Sequence, residues 1–449
     1  MFLFLPITLL GYFLLNKKKY VMASKVWLIF ASLFFYTYWN VRYLPLLLGS
    51  IFFNYALGTT LEKTFLMDKK KKAVLFFGIS CNVLLLGYYK YFNFFIANIN
   101  IILPVKLNFL NLILPLGISF FTFTQIAFLV DCYKGKAKEY DFLNYILFVT
   151  FFPHLIAGPI IHHKEMMPQF NVLRNKIFNW KNVAQGLFLF SLGIFKKVII
   201  ADRLSLIANG GFDGAIPLKV IDAWTTSLSY TFQLYFDFSG YTDMALGLSL
   251  LFNIKLPINF NSPYKALNIQ DFWKRWHMTL SRFLRDYIYI PLGGNRNGRA
   301  ATLRNILITF FICGLWHGDD WTFIFWGLLN GLAIIIHRAW ELTGIKMNKI
   351  LAWLITFNFI NFSWIFFRAR TWGDATRVIR GMLGLNGFTI NGLSLVLLIS
   401  LLVSFLCRNS NELVKDFTPK WQTALISAVL FAISILNMNK ISEFIYFNF

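Results

Sequence analysis

Long apolar runs recur through the whole of this chain, with short clusters of lysine and arginine between them. That alternation constrains the fold more than any single motif. A helix crossing the hydrocarbon core needs ~20 mostly apolar residues. Backbone at that depth must satisfy its own hydrogen bonds, which leaves helices or closed barrels. Candidate spans are 2–15, 22–40, 42–58, 73–90, 108–130, 142–161, 184–207, 218–236, 241–253, 303–316, 321–341, 348–367, 390–407 and 420–437. Some are short or broken by Gly and Pro, so about a dozen true spans are expected, with a few helices entering and leaving on one side. The fold class that follows is an all-α polytopic membrane protein, with residues 1–449 forming one integral membrane domain.

Composition agrees. Of 449 residues, 57% are hydrophobic and only 14% charged, whereas soluble domains carry about 25% charged residues. The net charge of +23 does not point to nucleic acid, because the lysines and arginines sit in short clusters between long apolar runs. They follow the pattern of cytoplasmic loops. Met1 to Leu15 is apolar, and the charges Lys17, Lys18 and Lys19 come after it. A cleaved signal peptide has the reverse order. The first helix is therefore read as retained, with its N-terminus outside. Lys69–Lys72 and Lys134, Lys136 and Lys138 then fall on the same side as Lys17–Lys19. The cysteines Cys81, Cys132, Cys313 and Cys407 are scattered, so neither a metal site nor a disulfide framework is expected. There is no nucleophile elbow, P-loop or dinucleotide fingerprint.

Two histidines carry the chemical interest. From Asn268 the chain reads NIQDFWKRWHMTLSRFLRDYIYIPLGG. Ile269, Phe272, Trp273, Trp276, Leu280, Phe283, Leu284 and Tyr287 recur at helical spacing. This predicts one amphipathic helix lying at the cytoplasmic interface, capped by Asn268 and ended by Pro291, Gly293 and Gly294. His277 falls on the shoulder of its apolar face, beside Trp273 and Leu284, either as a packing residue or as a functional one. His317 closes an almost wholly apolar run, FFICGLWHG. An ionisable group at that depth is a functional candidate, and a neutral, desolvated imidazole suits the role of general base for an alcohol. The competing reading is an interfacial histidine at a helix end. Asp237 and Asp243 lie in another apolar stretch and are read as structural, each paired with an arginine or a backbone donor.

Five blocks in order carry a resemblance: LPLGISFFTFTQIAFLVDCYKG (114–135), FFPHLIAGPIIHHKEMMPQF (151–170), FQLYFDFSGYTDMALGL (232–248), FNSPYKALNIQDFWKRWHMTLSRFLRDYIYIPLGGNRNG (260–298) and GLWHG followed by WTFIFWGLLNG (314–331). Together they resemble the membrane-bound O-acyltransferase family, in its alginate and peptidoglycan O-acetylation branch, with teichoic acid D-alanyl transfer proteins more distant. The core of the resemblance is residues 110–340. It implies a ring of tilted helices around a thin centre, with a tunnel joining the two membrane faces.

The resemblance also implies roles. The histidine of the family's WHG motif falls on His317 as the catalytic residue, and that of its RWH motif on His277. Lys274, Arg275, Arg282 and Arg285 would form a basic cytoplasmic entrance for acetyl-coenzyme A, which is a substrate; no tightly bound cofactor or metal is expected. The chain departs from the family pattern at Asp319 and Asp320, where small residues are commoner, and at Asn330, a position that is often histidine in this branch. The aromatic tail 443–449, EFIYFNF, resembles the tail of this branch and that of the small partner of the D-alanyl system, which makes Tyr446 a candidate acetyl carrier; the competing reading is an aromatic interfacial anchor. The expected partners are the lipid bilayer, an extracytoplasmic SGNH-type transferase and a polysaccharide, and the expected location is the bacterial inner membrane. A transporter or flippase is the alternative, since broken helices and midplane polar residues suit that class too.

Overall fold

A computed structural model describes residues 3–63, 67–139, 141–388 and 394–438, and every regular element among them is helical. The described residues group into two compact units. One comprises the chain through Phe190 together with Met244–Pro257; the other comprises Ser191–Asp243 and the chain from Ile258 onward.

The first unit contains α1 (Phe4–Lys17), α2 (Val21–Thr37), α3 (Leu44–Glu62), α4 (Asp68–Leu86), α5 (Phe92–Ile102), α6 (Ile118–Tyr133), α7 (Phe142–Thr150), α8 (Phe152–Leu155) and α9 (His163–Asn171). Lipid supplies no hydrogen bonds, so its helices use small and polar side chains to meet. Gly11 lets the Trp27 indole lie against α1, and Trp27 Nε1 donates to Thr8 O at 3.1 Å. Asn54 and Asn82 form a reciprocal amide pair between α3 and α4, at 3.1 and 2.7 Å. Gln125 on α6 donates to Ser50 Oγ on α3 at 3.0 Å.

Along the chain follow α10 (Trp180–Phe195), α11 (Asp202–Phe212) and α12 (Val220–Leu251). The second unit continues with α13 (Ile269–Arg275), α14 (Met278–Leu284), α15 (Gly298–His317), α16 (Trp321–Leu342), α17 (Lys349–Arg368), α18 (Trp372–Met382), α19 (Leu395–Leu406), α20 (Ser410–Lys415) and α21 (Trp421–Leu436). Among the described residues, six helical stretches are long and apolar enough to cross a membrane: Val41–Glu62, Asp68–Ile102, Trp180–Phe212, Gly298–His317, Trp321–Leu342 and Lys349–Arg368. Shorter apolar helices accompany them, among them α1, α2, α6, α19 and α21. The protein is multi-pass.

Several sequence boundaries are corrected. The two spans expected at 218–236 and 241–253 are one helix, α12. Gly240 does not break it; the missing side chain admits the Gly193 carbonyl, which would lie 2.7 Å from a Cβ there. The span expected from 108 begins only at Ile118, after Pro115 and Gly117, whose φ is +70°. The span expected over 142–161 gives only α7 and the short α8, because the backbone leaves the helix at Phe151, with φ −50° and ψ 106°, and Pro153 has no N–H with which to continue the helical bonding of α7. Asp237 and Asp243 are buried as expected, but their cations are lysines: Lys197 at 2.9 Å and Lys196 at 2.6 Å.

Candidate active site

The largest correction falls on the block around His277. The single amphipathic helix predicted there is two helices, α13 and α14, separated at Trp276 and His277. Asn268 does cap its start, accepting from Asp271 N at 2.8 Å. The break has a cause elsewhere in the chain. Residues 259–261 run alongside it as a strap: Asn261 N donates to Arg275 O and Met278 N donates to Asn259 O, both at 2.9 Å. These bonds replace helical ones that the periodicity takes for granted. Trp276 becomes extended, and His277 takes a left-handed conformation with φ 41° and ψ 54°.

His277 is therefore fully buried, not on a shoulder. Its ring meets Phe238 edge-on at 4.7 Å between centroids and Trp316 at 6.0 Å. Its Nδ1 lies 3.1 Å from Asn259 Oδ1. Burial pushes the imidazole pKa down to about 3, so the ring is neutral at ordinary pH.

His317 is the last residue of α15 and is 1% exposed. Three rings wall it: Trp316 at 4.8 Å, Phe367 at 5.0 Å and Trp326 at 5.1 Å, the last nearly perpendicular at 89°. Trp326 stacks on Trp364 at 5.4 Å, and Trp364 meets Trp276 at 5.0 Å. Trp316 touches both histidines, so the structure brings His277 and His317 to one aromatic cluster within the second unit. What holds α15 and α16 close enough for this is the pairing of Gly314 with Gly327. A Cβ on Gly314 would stand 2.4 Å from Phe323 O, and one on Gly327 would stand 2.3 Å from Phe310 O.

Around the histidines, Asp319 and Asp320 are exposed at the turn between α15 and α16. Partial burial, and then the neighbouring Asp319, raise the Asp320 carboxyl above its usual range. Asn330 is buried one turn beyond Trp326 and donates to Trp326 O at 2.9 Å. The basic residues are spread along the broken block. Lys274 and Arg285 are exposed, while Arg275 and Arg282 are partly covered. Arg275 pairs with Asp271 and Arg285 with Asp286, each at 2.8 Å, so two of the four charges are locally compensated. Tyr446 lies outside the described residues.

Sequence reasoning missed Asn259, Trp316, Trp326 and Phe367 as site walls. It also missed a second titratable cluster, in the first unit. There His162 Nδ1 lies 3.3 Å from Asp131 and His163 Nε2 lies 2.9 Å from Glu139, all four groups buried. Burial opposes charge on Glu139, yet the bonds from His163 and from Asp141 N hold its carboxyl below the usual range. Two adjacent histidines, His162 and His163, closing the apolar run AGPII were the available signal.

The chain is similar to known proteins over most of its length. The family model described as "MBOAT, membrane-bound O-acyltransferase family" matches residues 10–371. A peptidoglycan O-acetyltransferase of Helicobacter pylori is 48% identical, the alignment covering 100% of this chain and 96% of that protein. A probable alginate O-acetylase of Pseudomonas aeruginosa is 38% identical, over 88% of this chain and 75% of its own length. A teichoic acid D-alanyltransferase of Bacillus subtilis is 29% identical over 58% of this chain and 70% of its own.

Proposed function

Because the chain belongs to the membrane-bound O-acyltransferase family, we propose that it takes an acetyl group from cytoplasmic acetyl-coenzyme A and delivers it across the bacterial inner membrane for O-acetylation of a polysaccharide. The chain is an O-acyltransferase, which sets the transporter reading aside. Peptidoglycan is the favoured glycan, given the near full-length similarity to a peptidoglycan O-acetyltransferase; an alginate-like polymer is the second choice. The final acceptor is reached through an extracytoplasmic SGNH-type partner. One observation carries the reading: His317 and His277 are buried against one tryptophan, Trp316, inside the span of the family match.

In this scheme His317 removes the proton of the accepting hydroxyl. The oxygen attacks the thioester carbonyl, the carbon–sulfur bond breaks, and coenzyme A leaves as a thiolate that regains a proton as free thiol. Aromatic walls keep water from competing as acceptor and strengthen every hydrogen bond inside. Lys274, Arg275, Arg282 and Arg285 supply the basic surface for the donor's phosphates, with Lys274 the most available of them. Tyr446 is the proposed first acceptor.

Purified protein, given acetyl-coenzyme A, the partner and glycan fragments, should release free thiol. His317→Ala should lower that release by at least about a hundredfold, the scale of a lost general base. A folded wild-type protein that releases none under these conditions rejects the proposal.

A further inference from the structure

We infer that Asn259 is a positioning residue that fixes His277 as the tautomer carrying its proton on Nδ1 and its lone pair on Nε2. The purpose assigned to that tautomer rests on the acyl transfer proposed above; the tautomer itself rests on the hydrogen bonds alone.

Three donors converge on one atom. Asn259 Oδ1 faces Thr279 N at 3.1 Å, Thr279 Oγ1 at 3.0 Å and His277 Nδ1 at 3.1 Å. A backbone N–H only donates, so the side-chain atom opposite Thr279 N is the amide oxygen. That oxygen has no proton to give, so His277 Nδ1 must be the donor. In a neutral imidazole the other nitrogen is then an acceptor. The same asparagine also takes Met278 N on its backbone oxygen. One residue thus holds both the ring and the backbone that follows it, at Met278 and Thr279. His277 needs that hold, because a left-handed non-glycine residue persists only where its surroundings over-determine it.

The strap is itself tied down within the second unit. Asn409, just before α20, donates to Asn261 Oδ1 at 3.0 Å and to Ser262 Oγ at 2.8 Å. Asn411 donates to Phe260 O at 2.5 Å.

The tautomer decides between two roles for His277. Nε2 accepts a hydrogen bond from a hydroxyl or thiol of the substrate. It does not donate one to the oxyanion that forms on the thioester carbonyl. His277 therefore orients an acceptor O–H or receives the thiol, and charge on the carbonyl oxygen is met by other groups.

The test is ¹⁵N spectroscopy of the six histidine rings in full-length protein in lipid, with His277→Gln identifying the His277 signals. Near neutral pH the wild-type ring should show a protonated Nδ1 and a bare Nε2. Asn259→Leu should abolish that preference and lower thiol release at least tenfold, whereas Asn259→Asp, which keeps an acceptor oxygen, should retain both. A wild-type ring protonated on Nε2, or a folded Asn259→Leu protein with an unchanged ring, overturns the inference. The wild-type spectrum decides the tautomer even if Asn259→Leu does not fold. It does so whether or not the protein turns over acetyl-coenzyme A, so failure here and failure of the proposed function are separable.

Discussion

Proton handling and group transfer ask different things of individual side chains. His317 is walled by rings and His277 is held through Asn259. The role proposed for Tyr446 is different: to hold an acyl group and give it up again. A phenol, with a pKa near ~10, is a leaving group much closer to a thiol at ~8.5 than an alkyl alcohol is. A phenyl ester therefore keeps much of the thioester's transfer potential. With radiolabelled acetyl-coenzyme A and no partner present, wild-type protein should acquire label that is released by mild base. Tyr446→Phe should acquire none while leaving His317 and the fold intact. Equal labelling of the two proteins would remove Tyr446 from the scheme. At this scale the sequence was legible where charge met an apolar run, as at His317. Asn259 gave no such signal. It sits in an extended segment between Pro257 and Pro263, where there is no period to read, and its importance lies in a residue 18 positions away.

Between residues and the whole stand the helix pairs, and the crossing of α15 and α16 sets where His317 sits. Gly314 and Gly327 let the two backbones touch, which is how helices associate where lipid gives no hydrophobic drive. Gly314→Leu would place carbon against the Phe323 carbonyl, a backbone atom that has no rotamer to retreat into. The helices must then separate, at a cost of about 1–3 kcal/mol or more. The variant should melt at a lower temperature in detergent and lose thiol release. Gly49→Leu is the control, because a Cβ there meets nothing within 4 Å; its melting and its activity should match wild type. Equal behaviour of the two variants would mean that the glycine crossing does not set the site. Helix existence was readable from apolar length at this scale, and α15, α16 and α17 begin and end within a few residues of the expected spans. The breaks were not readable. The gap expected between 236 and 241 lies inside α12, whereas the block around His277 looked continuous and is split. At the break a distant segment decides, the strap that pairs with it.

If the proposed donor is acetyl-coenzyme A, the whole molecule must present the proposed basic entrance to the compartment that holds it. The charges give the direction. Lys17–Lys19, Lys69–Lys72 and the lysines of 134–138 follow the first, third and fifth of the expected apolar spans. Cytoplasmic loops carry such an excess because translocating them is unfavourable. The proposal therefore puts the start of the first segment outside and these three lysine clusters in the cytoplasm, with the proposed donor. The prediction is read with single cysteines in a background where Cys81, Cys132, Cys313 and Cys407 are replaced by serine or alanine. A cysteine at position 18, 70 or 136 should resist a membrane-impermeant maleimide applied to intact spheroplasts and react fully in inverted vesicles. In the same inverted vesicles, whose cytoplasmic face is outermost, added acetyl-coenzyme A should release thiol at once, whereas sealed spheroplasts should release none. If the three loops label from outside, both the orientation and the cytoplasmic donor fall together, because the proposed basic entrance would then face a compartment without acetyl-coenzyme A. If the loops label as expected but thiol appears only in spheroplasts, the orientation stands and the entrance must be sought on the other face, near Asp319, Asp320 and the His317 end of α15.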